Sequence, residues 1–167
     1  MPAVPGAPSV TRMMIDRAEN PSPEDPPSSE MLDLSRVECL RLLAAGQFGR
    51  MAVALSAGAP VIRPVNYAFD ERSQSVVFRT TGGSKLHGVL DAGEAAFEID
   101  GVDEGSRTGW SVIIYGVAEE ITDSREIRRL DALGVISWAP GRKNHWVRIR
   151  ARTITGRRIV LGPAPGV

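Results

Sequence analysis

The chain has 167 residues, enough for one domain with a tail, and its 43% hydrophobic and 24% charged content is that of a globular protein. Its formal net charge is zero, which excludes a global electrostatic pull toward nucleic acid or an anionic membrane. One cysteine, Cys39, excludes an intrachain disulfide and points to a reducing compartment.

Residues 1–30 hold seven prolines and no aromatic side chain. Such a segment buries too little apolar surface to offset its ordering entropy, so it reads as a disordered or loosely docked arm. "MPAVPGAPSV" lacks the charged start and unbroken apolar run of a signal peptide, and "WSVIIYGVA" (110–118) is too short for a membrane helix. A cytoplasmic protein is the expectation. The folded domain is expected over 31–163, with a short tail at 164–167.

"SRVECLRLLAAG" (35–46) opens with Ser35 and Glu38 at capping-box spacing, continues with Val37, Leu40, Leu43 and Ala44 at helical spacing, and ends on Gly46. It predicts a helix. Strands are expected over 49–55, 61–69, 75–81, 94–100 and 110–122, with Pro64 marking an edge or a bulge in the second. "DERSQ" is read as a turn and "GVDEGSRTG" as a polar loop. Short helices are expected at 84–91 and at 125–134, the latter capped by Asp123 or Ser124. "NHWVRIRAR" (144–152) and "TITGRRIV" (153–160) read as two closing strands. Six or seven strands joined by short turns, without regular strand–helix alternation, predict a mainly β fold: a closed antiparallel barrel with peripheral helices.

"FRTTGGSKLHGV" (78–89) carries the densest chemistry. Thr80 and Thr81 end a strand, Gly82 and Gly83 permit a tight turn, and Ser84 and Lys85 follow where a helix would start. Hydroxyls, an ammonium and free N–H groups at a helix start suit an anion, a phosphate above all. The spacing is not that of the nucleotide P-loop, and a plain helix cap with a solvated lysine accounts equally well for the local pattern. Arg79, Arg63 and the Pro64-Val65-Asn66 stretch are further candidates. The Asn66 amide has the donor and acceptor to read a ring edge, although each of these is more often an ordinary strand residue. Trp110 could pack in a core or lie on a planar ligand, with Ser111 on the opposite face, and Trp138 sits in a loop of the kind that marks a pocket or a subunit contact. His87 and His145 lack a metal-ligand pattern. No nucleophile-plus-base signature is present, so any redox activity would come from a cofactor.

Taken in order, "LSRVECLRLLAAGQFGRMAV", "PVIRPVNYAFD", "VVFRTTGGSKL", "AAFEID", "GWSVIIYGVAEEI" and "WVRIRARTITGRRI" resemble the pyridoxamine 5′-phosphate oxidase-like family of flavin-binding split-barrel proteins, over about residues 32–163. The resemblance implies a six-stranded antiparallel split barrel, a homodimer, and FMN in a cleft at the dimer interface, acting on a small-molecule substrate. It implies that Arg63, Pro64, Val65 and Asn66 line the flavin ring, that Arg79, Thr80 and Thr81 border the ribityl chain and phosphate, that Ser84 and Lys85 hold the phosphate, and that Trp110 and Ser111 come from near the interface. The oxidase itself carries an Arg-x-His motif near its C-terminus. Here "TITGRRIVLGPAPGV" has Arg157 and Arg158 without that histidine, so a different oxidoreductase is implied. The deazaflavin F420 on the same scaffold, or a non-catalytic flavin- or haem-binding protein, are the alternatives.

Overall fold

The computed structural model describes residues 29–54, 60–83, 90 and 93–162. Among the described residues, seven strands and two helices follow in the order β1 (Ser29–Asp33), α1 (Arg36–Ala45), β2 (Phe48–Val53), β3 (Val61–Asp70), β4 (Ser75–Thr80), β5 (Glu94–Asp103), β6 (Thr108–Ile121), α2 (Ser124–Asp131) and β7 (His145–Leu161). All strand pairs are antiparallel. Their lateral order is β1-β7-β4-β3-β2-β5-β6, and β6 pairs back onto β7. Strands β2 to β7 therefore close a six-stranded barrel, and β1 is an extra strand on the C-terminal half of β7. The mainly β barrel expected from the sequence is the fold observed.

Alternation builds the interior. Met51, Val53, Phe97, Ile99, Val112, Ile114, Val147 and Ile149 point inward, with Tyr67, Phe69, Val76 and Phe78, and α1 closes the barrel with Cys39 and Leu43. Strand β4 is buried on both faces: Val76 and Phe78 face the barrel, while Val77 packs outside it with Ile121, Leu130 and Trp146 beneath α2. The Ser35–Glu38 capping box is formed as expected, and Asp123 caps α2 by accepting from the Arg125 and Glu126 N–H groups.

Three expectations need correction. The two closing strands are one 17-residue strand, β7, because nothing between 152 and 153 turns the chain. The register against β6 slips there instead: Tyr115 faces Thr153 and Gly116 faces Ala151, leaving Arg152 as a bulge. The loop over 101–109 is mostly strand, a tight hairpin whose last pair is Asp103 with Thr108 and whose turn is held by Asp103 accepting from the Gly105 and Ser106 N–H groups. Strand structure also begins at Ser29, two residues before Met31, because residues 29–33 find an open edge on β7. The helix expected at 84–91 lies outside the described residues, apart from Leu90. No helix among the described residues is long and apolar enough to cross a membrane.

Candidate functional site

The barrel opens between β3 and β4. These strands pair only from Tyr67 to Asp70 against Phe78 to Ser75, whereas residues 61–66 of β3 pair with β2 alone. Pro64, which has no N–H to donate, sits in this single-neighbour stretch. Arg63 and Pro64 are exposed, and Val65 and Asn66 are half-buried. The shared register, continued, sets Asn66 beside Arg79.

Arg79 lies over the Trp146 ring, with its guanidinium carbon 5.4 Å from the ring centroid. Its Nε is buried and has no hydrogen-bond partner among the described residues. Thr80 and Thr81 follow, half-buried, with Thr80 Oγ1 3.3 Å from the Thr81 carbonyl oxygen. Gly83 sits in a bend with a φ of +107°, a conformation that favours glycine, so the chain bends at the position where a turn is expected. Ser84 and Lys85 lie outside the described residues.

Asn66 is engaged within the chain. Its Oδ1 accepts the Trp138 N–H at 2.9 Å, and its Nδ2 reaches the Gln47 carbonyl at 3.5 Å. This contact draws the 132–144 loop onto β3 and stacks Trp138 on Phe48, with ring centroids 5.4 Å apart and planes 9° from parallel. Trp138 thus borders the same opening. His145, the strand partner of Thr80, was not anticipated there. Its Nδ1 is 2.7 Å from Glu120 Oε1, and a Cβ on Gly82 would lie 2.6 Å from its Nε2. Strand pairing between residues 65 positions apart brings His145 to the turn, and no local pattern signals it.

Trp110 and Ser111 are elsewhere. Trp110 faces Arg158 on β7, whereas Arg79 faces Trp146, twelve residues earlier on that strand. At about 3.3 Å per residue the separation along the strand is on the order of 30 Å or more. Trp110 and Ser111 instead line a separate cleft of about 660 Å³ with Met31, Arg107, Arg157 and Ile159. The chain therefore brings 63–66, 79–83, Trp138 and His145 to one opening and leaves 110–111 at the opposite end.

This fold and the order of its motifs agree with a family model described as pyridoxamine 5′-phosphate oxidase, which matches residues 35–158. The chain belongs to the pyridoxamine 5′-phosphate oxidase family. A curated relative, an uncharacterized protein of Mycobacterium tuberculosis (strain H37Rv), is 37% identical over 137 residues, covering 78% of this chain and 87% of the relative. Among solved structures, the FAD binding protein from Mycobacterium smegmatis is 33% identical with a TM-score of 0.61, over 75% of this chain and 95% of that one. A FAD-binding protein from Mesorhizobium loti is 27% identical with a TM-score of 0.65, over 77% of this chain and 97% of that one.

Proposed function

We propose that this family member is a homodimeric flavin-binding oxidoreductase. The phosphate-bearing tail of FMN, or the FMN half of FAD, sits where β4 ends, at Arg79 to Gly83, and the flavin ring lies along residues 63–66 of β3. One observation carries the reading: the Arg79 Nε, buried at the barrel opening with no acceptor among the described residues. A buried N–H normally has a partner, and an anionic ligand would provide it. The 27–33% identity to two FAD-binding proteins supports a flavin over other anions.

The residues divide the work. Arg79 and the Thr80 and Thr81 hydroxyls supply charge and hydrogen bonds to the tail. The Gly82–Gly83 turn allows close backbone approach. Trp138 and Phe48 wall the ring side and exclude water. Trp110 and Ser111 reach the same flavin only from a second copy, because within one chain they are at the far end of β6. A bound flavin supplies the redox chemistry, accepting a hydride and passing electrons to a small-molecule acceptor.

The test is a titration of the purified chain with FMN, FAD, F420 and haem, followed by absorbance and fluorescence quenching. Saturable quenching of FMN or FAD is expected. Arg79→Ala should weaken FMN by about tenfold, the scale of one charge-assisted hydrogen bond, and leave riboflavin, which has no phosphate, nearly unchanged. Binding of F420 or haem with no response to either flavin would overturn the proposal.

A further inference from the structure

The Glu120–His145 pair beside the Gly82 turn has a consequence for how an anion is held there. An ionised carboxylate only accepts hydrogen bonds, so the contact to Glu120 Oε1 places a proton on His145 Nδ1. In the neutral ring the other nitrogen, Nε2, then carries a lone pair. Nε2 is the atom turned toward the Gly82 backbone. Both side chains are within reach of solvent ions, at 40% and 30% exposure. Among the described residues the charged group on His145 is Glu120, from β6. From β4 and the residues just past it, Thr80 and Gly82 bring neutral polar atoms, and Arg79 is turned onto Trp146.

We propose that His145, oriented by Glu120, is a proton-gated ligand for the phosphate of a flavin tail at the Gly82 turn. This rests on the phosphate seat proposed above. With Nδ1–H committed to Glu120, the neutral ring presents a lone pair to the phosphate and repels it. The protonated ring presents an N–H and a positive charge and attracts it. Gaining the ring proton therefore strengthens phosphate binding, and losing it as pH rises weakens it. The phosphate has the opposite sign: its second proton leaves near pH ~6, and the dianion would bind fixed cations more tightly as pH rises. A loss of affinity toward alkaline pH is thus specific to the imidazole.

The experiment measures FMN and riboflavin affinity by fluorescence quenching for the full chain, His145→Gln and Glu120→Gln, in acid and in mildly alkaline solution, at about pH 5.5 and about pH 8. FMN should bind the unaltered chain about tenfold more weakly at the higher pH, one charge-assisted contact, while riboflavin changes little. His145→Gln should abolish that dependence. Glu120→Gln should keep tight binding at the higher pH, because an amide can donate to Nδ1 and leave the proton on Nε2. Equal pH profiles for the unaltered chain and His145→Gln, or weaker FMN binding by Glu120→Gln at the higher pH, would overturn the role of His145. FMN binding no tighter than riboflavin at either pH would reject the phosphate seat itself, and with it both proposals.

Discussion

Asp70 shows how much one side chain can hold. It is 4% exposed at the end of β3, and Arg129 of α2 forks onto its two oxygens at 2.8 and 2.7 Å. The Ser73 hydroxyl donates to the same carboxylate. The Arg129 hydrogen bonds hold the Asp70 carboxyl below its ordinary range, against the opposing effect of burial. A depressed folded-state value stabilises the fold above the unfolded carboxyl's value, near ~3.9, and that contribution is lost as pH falls through the folded value. Asp70→Asn is expected to cost about 1–3 kcal/mol at neutral pH, toward the low end because Arg129 is partly hydrated. Urea unfolding should show the gap between the two proteins narrowing in acid, as pH falls through the depressed folded-state value of the carboxyl. A gap unchanged between neutral and acid solution would refute the assignment. Nothing near Asp70 in the sequence signals this: "DERSQ" reads as a turn, which it is, but the partner lies 59 residues away.

Among the elements, those specified over a few residues were legible. Ser35 and Glu38 announce α1 because a capping box is a contact between residues three apart. Gly46, which ends α1, is there for a second reason that the chain order hides: a Cβ would lie 2.3 Å from the Tyr67 hydroxyl, which donates to the Leu43 carbonyl at 2.9 Å. Strand β7 was misread as two, because alternation is broken at Arg152 and a bulge looks like a boundary when its partner strand is unknown. At that bulge β6 and β7 approach closely, and a Cβ on Gly116 would lie 1.9 Å from the Arg150 carbonyl oxygen. Backbone cannot yield as a flexible side chain can. Gly116→Ala should therefore destabilise the barrel by about 2–4 kcal/mol, seen as a clear drop in the thermal midpoint. A midpoint within about 1 °C of the unaltered chain would show that the seam can shift freely.

At the scale of the molecule, closure of β6 onto β7 separates the two groups of candidate residues. The end that carries Trp110 also exposes Val102 at 71% and Met31 at 59%, beside Ile159. In the proposed dimer these apolar side chains meet the second copy. Sedimentation should give twice the 18.0 kDa chain mass. Val102→Glu, exposed and so harmless to the single barrel, should shift the protein toward one chain and weaken FMN binding together with assembly. A monomer that binds flavin as tightly as the unaltered protein would refute the shared site.

Read alone, the chain order carried what depends on neighbours and on pattern: the helix starts, the β alternation, the Gly82–Gly83 turn, and the ordered motifs that mark the family. These signals act within a few residues or accumulate along the chain, so no folding is needed to see them. The His145–Glu120 pair beside Gly82, the Arg129 clasp on Asp70, the edge that recruits Ser29–Asp33, and the distance between Arg79 and Trp110 came from the closed barrel. Each is a product of register between strands far apart in sequence, and register is set by which faces the whole core buries rather than by any segment by itself.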